Sequence, residues 1–257
     1  RYGEALDTFA LLVEEGGTNL MDNGQIATMA FNEGLCYLAQ AEAQAGQEPQ
    51  AALGLAMQAR SRFLTARRMK PDFERAGQRL DPVARMIVSY QEQIAEEEQR
   101  QQEIQEKMQK LIEMLQALQK AQTELRSEVP ARPQQARGSA TEPVATHESA
   151  AADSVRLNSG QLDLIENANT ISDFMADLDQ AMMPEGVNID QLPVSILHEP
   201  RQLMGEAIEA QVRAAELLRL WSSWPDARVR QQVTIDKIQE ILDLLASDQS
   251  QDWDEGD

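Results

Sequence analysis

Two histidines, His147 and His198, and one cysteine, Cys36, stand among 43 carboxylates, and these are the first candidates for catalytic or metal chemistry. Metal ligation needs several His, Cys or carboxylate donors held at ordered spacing. His147 lies in a stretch of Ala, Ser, Thr and Pro, and His198 sits beside Glu199 and Pro200, far along the chain. With one Cys elsewhere they form no ligand set. Cys36, between Leu35 and Tyr37, reads as a small buried hydrophobe. A reactive thiol would need an electropositive, exposed setting, and none is legible around it. No Gly-rich phosphate loop, nucleophile elbow or His/Asp pairing occurs. The sequence therefore predicts no catalytic residue, no cofactor and no metal.

Binding chemistry is better represented. Arg60, Arg62, Arg67, Arg68, Lys70, Arg75 and Arg79 form the one basic concentration. Such a run is a solvated helix face or a clamp for carboxylates, which Arg pairs bidentately. The chain ends in Asp248–Asp257, with five acids, no base and a single aromatic, Trp253. That is a solubilising end, or a peptide ligand with charges for steering and one anchor. Arg60, Arg67, Arg68, Lys70, Arg75 and Trp253 are thus the candidate partner-binding residues. Met175, Met182 and Met183 read as core filling, with an adaptable groove as the alternative.

Charge narrows the partner class. The net charge is -20. Residues 1–90 hold 9 basic and 11 acidic side chains, whereas residues 91–257 hold 14 and 32. Nucleic-acid binding runs on Lys and Arg neutralising phosphates. An acidic chain with no long basic stripe is therefore expected to bind no nucleic acid and to be repelled by anionic lipid. No run of about 18 apolar residues occurs, so no membrane span is expected. One cysteine excludes an internal disulfide and leaves the compartment open. The opening Arg1-Tyr2-Gly3-Glu4-Ala5-Leu6 reads as mid-helix, which suggests that sequence has been removed upstream, together with any signal or anchor it held.

The elements that must position these residues are helical. Ala, Leu, Gln and Glu dominate, aromatics make up 4%, and no alternating strand pattern is present. The periodicity predicts an all-α fold. Helices are expected over 2–15, 26–45 (Ala30, Phe31, Gly34, Tyr37 and Leu38 inward) and 51–69, with a short piece over 72–80 that stops at Asp81-Pro82. From Val83 a 4–3 spacing continues through Ile87, Tyr90, Ile94, Ile104, Met108, Leu111, Leu115, Leu118 and Leu125 to Val129, with Glu97, Gln101 and Gln122 as its polar members. This predicts a coiled-coil helix over 82–129. Residues 130–153, with Pro130, Pro133 and Pro143, read as a disordered linker. A C-terminal helical region is expected over 154–247: 160–183 burying Leu162, Ile165, Met175, Leu178 and Met182; 201–222 with Leu203, Ala207, Ala210, Ala214, Leu217 and Trp221; and 227–246 with Ile235, Ile238, Leu242 and Leu245. Residues 248–257 are the acidic tail.

The stretch Ala59-(x3)-Phe63-(x2)-Ala66-(x4)-Pro71 resembles the second helix of a tetratricopeptide (TPR) repeat. Ala30 to Tyr37, with Gly34 at the helix crossing, is similar to the first helix of that repeat, although Ala30 stands where Trp is usual and Glu33 where Leu is usual. Tyr2-Gly3-Glu4-Ala5-Leu6-(x2)-Phe9 resembles the second helix of a preceding repeat. About thirteen extra residues around 39–49 lengthen the repeat beyond the usual 34. Phe73, Ala76, Gly77 and Leu80 resemble the start of another, set too close to Pro71 and cut off at Pro82. The resemblance covers residues 1–81 and implies TPR-like helix pairs that bind other proteins. The order of repeats, long Gln/Glu-rich helix, linker and acidic end is similar to that of bacterial aerotolerance-operon (Bat-type) TPR proteins of the cell envelope. That likeness implies a scaffold in the envelope or periplasm, the cytoplasm being the alternative. The expected function is a non-catalytic protein–protein scaffold, with acidic peptide tails among its partners. The competing expectation is a structural coiled-coil protein that forms homo-oligomers through 82–129.

Overall fold

The structure, a computed structural model, describes residues 2–14, 21–131, 144–183 and 195–251. Of these residues 91% are helical and none is in a strand, so the fold is all-α. Two compact units divide the chain, Arg1–Gln102 and Glu103–Asp257.

The first unit holds α1 (Tyr2–Glu14), α2 (Asn23–Gln44), α3 (Pro49–Met69) and the first part of α4 (Glu74–Glu128). α2 begins at Asn23, earlier than its periodicity suggested, because Asp22 caps it. Its carboxylate accepts from the Gln25 N–H at 2.7 Å, and the Gln25 side chain accepts from the Asp22 N–H at 3.0 Å. α3 starts on Pro49 and ends where the Lys70 N–H reaches the Ala66 carbonyl, ahead of Pro71. The two helices run antiparallel over small residues: Ala41 faces Ala52 and Ala56, and Leu38 faces Ala59 and Phe63. At Gly34 the approach is closest. A Cβ there would stand 2.6 Å from Phe63 Cε1, so only glycine leaves room for the ring. Phe31 lies 5.5 Å from Phe63 and 5.2 Å from Phe73, centroid to centroid. α1 lies along α2 and leaves Tyr2 and Leu11 exposed.

Asp81-Pro82 does not break the chain. α4 starts at Glu74 and carries Pro82 inside it. Pro82 removes the N–H that would reach the Gln78 carbonyl, a penalty of about 3 kcal/mol in a helix interior. Packing on both sides of it offsets this. Ala76 is buried with Ala30 and Ala66, Val83 with Leu38, Ala59 and Phe63, and Tyr90 with Ala41, Ala52 and Ala56. The start of α4 thus runs parallel to α2 and antiparallel to α3.

The second unit is a four-helix, up-down-up-down arrangement of the end of α4, α5 (Val144–Met182), α6 (His198–Leu218) and α7 (Trp224–Gln251), with a 3₁₀ turn at Trp221–Ser223. Each neighbouring pair is marked by side-chain bonds. Glu128 pairs with Arg156, and a Cβ on Gly160 would meet Leu125. The Ser154 hydroxyl donates to the Leu218 carbonyl at 2.6 Å, and Asn158 donates to that of Ala215. Thr234 donates to Ala207, and Lys237 pairs with Glu206 at 3.1 Å. Gln119 donates to Gln239 at 3.0 Å, and Arg126 and Arg228 each donate to the other's backbone carbonyl. Inside lie two apolar clusters, one with Leu111, Leu115, Leu118, Ile171, Met175, Leu178, Met204, Ile238 and Ile241 among its buried members, the other of Val129, Leu157, Leu218, Trp224 and Ala227.

Several expectations are corrected here. Residues 144–153 belong to α5 rather than to a linker, and residues 132–143 lie outside the described residues. The buried stripe of α5 is Ser154, Leu157, Gln161, Leu164, Ala168, Ile171, Met175 and Leu178, whereas Leu162 is exposed and Ile165 half-buried. α6 and α7 bury Ala207, Ala210, Ala214, Ile238 and Leu245 as expected, with other residues in place of the rest. Met204, Gln211 and Leu218 face inward in α6, and Leu203 and Leu217 are half-buried. In α7 Gln231, Thr234 and Ile241 are buried, with Ile235 and Leu242 half-buried. α6 opens at His198, ahead of the expected 201, and α7 runs to Gln251, into the expected acidic tail.

The 4–3 seam of α4 is used inside the chain at both ends. Val83 to Tyr90 pack in the first unit, and Ile104 to Val129 in the second. Between them Ile94 and Glu97 are half-buried and Gln101 is exposed, and Glu97 is held by Arg100 at 2.9 Å and Gln101 at 3.2 Å.

Candidate functional site

The basic concentration maps to the end of α3 and the start of α4. Arg60, Arg67, Arg68, Lys70, Arg75 and Arg79 are all exposed. Ala66 packs on Ala76, and Phe63 on Val83, so Arg67 and Arg75 come to the same level of the antiparallel pair. Among the described residues none of these six makes an ion pair. Lys70 instead sits over the Phe73 ring, 5.9 Å from its centroid. Arg67 and Arg68 in the last turn also favour the negative end of the α3 dipole.

Arg62 is separated from this set. Its Nε lies 3.0 Å from Glu33 Oε2, and the Glu33 side chain is only 6% exposed. The Glu33 carboxylate sits between α2 and α3 with the guanidinium as its lid. Burial holds its pKa above the ordinary 4.5, and Arg62 works against that rise. The oxygen facing Arg62 makes no aligned hydrogen bond, so the contact is chiefly coulombic. A raised carboxyl pKa means that the folded state binds more protons than the unfolded one. Stability from this group is then fullest below the ordinary value and declines as pH rises through the folded value. Arg62→Gln removes the opposing charge. It is expected to lower stability by about 1–3 kcal/mol at about pH 7 and by less at about pH 4. Thermal melts at the two pH values check this, and an equal loss at both would contradict it.

Sequence reasoning missed two neighbours of the arginines. Met57 and Leu64 are 56% and 42% exposed. With half-buried Leu53 they continue at 4–3 spacing through Leu53, Met57, Arg60, Leu64 and Arg67, one line along α3. The spacing was visible in the sequence. The exposure was not, because apolar residues on a helix read as core.

The remaining candidates do not gather. Cys36 is half-buried, and burial together with the Glu33 carboxylate holds its proton on the thiol. His198 begins α6, and His147 falls in the first turn of α5, in the other unit from Cys36. Met175 is fully buried in the core, whereas Met183 is 42% exposed. Trp253 lies outside the described residues. No group of three or more His, Cys, Asp or Glu side chains fit to hold a metal ion occurs among the described residues. A groove of about 350 Å³ between α4 and α5 is lined by Met114, Ala117, Leu118, Ala121, Leu164, Asn167, Thr170 and Ile171, none of them titratable. No described helix is long and apolar enough to cross a membrane.

The fold and site define an all-α chain whose surface offers a basic, partly apolar helix face. Comparison with protein-family models, with curated proteins and with solved structures finds no match for it.

Proposed function

We propose that the chain is a non-catalytic scaffold of tetratricopeptide type, working in a bacterial envelope complex, and that it holds an acidic partner segment along α3. The observation that carries this is the line of exposed Met57, Arg60, Leu64 and Arg67, with Arg68 beside it, whose bases have no ion-pair partner among the described residues. Bases of this kind pair with carboxylates, and the apolar pair between them offers anchorage, so the partner carries Asp or Glu together with one or two large apolar residues. The repeat reading is supported by the Gly34–Phe63 approach and by the order of α2, α3 and the start of α4, which lie as a helix pair followed by the first helix of a next repeat. The chain uses most of the α4 seam itself, leaving a second copy only Ile94, Glu97 and Gln101. That favours the scaffold over a coiled-coil homo-oligomer.

Exposed ion pairs contribute only about 0–1 kcal/mol each, so several must act together and the contact must weaken with salt. A fluorescent peptide of residues 246–257, which bears Trp253 and five acids, is added to a chain shortened at Ser247 so that no tail competes. Binding is expected at low salt. It should fall at least about tenfold between roughly 0.05 M and 0.5 M salt and vanish with Arg67→Glu and Arg68→Glu. Absence of binding at low salt, or binding indifferent to the two substitutions, rules the site out.

A further inference from the structure

Each helix of the second unit places one glutamine in the middle of its buried stripe: Gln122 on α4, Gln161 on α5, Gln211 on α6 and Gln231 on α7, all fully buried. They meet in one layer. Gln122 and Gln161 donate to each other's amide oxygens at 3.1 and 3.0 Å, Gln211 donates to Gln122 at 3.0 Å, and Gln231 donates to Gln161 at 2.9 Å. The amide oxygens of Gln211 and Gln231 make no hydrogen bond. An apolar layer would leave no polar atom unpaired, so stability alone does not account for this one.

What the layer supplies is selection among registers. The stripes around it are Leu, Ile, Ala and Met at 3–4 spacing, and such stripes stay in contact when one helix slides by a heptad. Slide α4 by seven residues and Leu115 or Val129 enters the layer. For α5 the replacement is Ser154 or Ala168, for α6 Met204 or Leu218, and for α7 Trp224 or Ile238. Six of these eight side chains are apolar and cannot pair with a buried amide, and the other two, Ser154 and Trp224, are already committed to the Leu218 carbonyl. Every slide therefore strands amides among hydrocarbon. We propose that the four-glutamine layer is a register key. It fixes at what height α4 completes the set formed with α5, α6 and α7, and it lowers stability in doing so.

The test replaces all four together: Gln122→Met, Gln161→Met, Gln211→Met and Gln231→Met, which keep the side-chain length and remove the amides. Spin labels at the exposed positions 113 and 166, in full-length chain with Cys36→Ala, read the α4–α5 distance. The natural layer gives one narrow distance. The four-Met variant is expected to melt higher and to show added populations, since a one-heptad slide moves a label by about 10 Å along the axis. A single unshifted distance in the four-Met variant overturns the proposal. So does failure of that variant to fold, because the layer would then be needed for stability rather than for selection. Gln122→Met alone, which takes an acceptor from Gln161 and Gln211, is expected to melt lower than the natural chain, and a higher melting point there also counts against it.

Discussion

Ala66→Arg is expected to unfold the first unit. Ala66 is fully buried on α3, packed with Ala30 of α2 and Ala76 of α4. Three helices meet there over methyl groups, so a guanidinium has no space and no acid waiting for it. Overpacking alone costs about 1–3 kcal/mol. An unpaired buried charge adds several more, against a total stability on the order of 5–15 kcal/mol. Circular dichroism melts should show loss of the helix contributed by α2 and α3. An unchanged melting curve would mean that the α2–α3–α4 packing is wrong. Gly34→Ala is the milder companion. Its Cβ would fall 2.6 Å from a Phe63 ring that is itself fully buried, so the ring must shift.

Leu115→Ala is expected to lower the stability of the second unit by about 3 kcal/mol, within the usual range for a core Leu. Leu115 is fully buried on α4 in the cluster shared with Ile171, Met175, Ile238 and Ile241. Loss of this side chain from one corner of four helices leaves a cavity that the others close only in part. Urea titration gives the magnitude, and hydrogen exchange should show faster opening in α5, α6 and α7. A change under about 1 kcal/mol would place α4 outside that core, since a fully buried Leu does not give so small an effect.

The all-α fold was legible because helical periodicity recurs wherever the chain is not Pro-rich. The α2–α3 packing was legible from Ala59, Phe63, Ala66 and Pro71, residue types that make sense only at a close helix crossing. Other features were obscured by signals that usually mean something else. Asp81-Pro82 has the form of a helix start, yet the burial of Ala76 and Val83 carries α4 through it. In α5 and α6 the expected Met175, Leu178, Ala207, Ala210 and Ala214 are buried, but Gln161, Met204 and Leu218 hold the core places that the pattern assigns to their neighbours Leu162, Leu203 and Leu217. The residues that face inward there include Gln161 and Gln211, polar side chains that satisfy one another only once four helices meet. No single helix could reveal that layer. The basic side chains of the candidate site were legible by type and position. The exposure of Met57 and Leu64 depends on which face of α3 is left uncovered, which a helix pattern does not encode.

Docking of an acidic segment on α3 is tested most directly by photo-crosslinking. The 246–257 peptide, carrying a benzophenone beside its tryptophan, is irradiated at low salt with the chain shortened at Ser247, and the adducts are located by mass spectrometry. The docking reading predicts adducts within residues 53–79, centred on Met57 and Leu64 and lost at high salt. Adducts confined to residues 103–247, or spread evenly over both units, would contradict it.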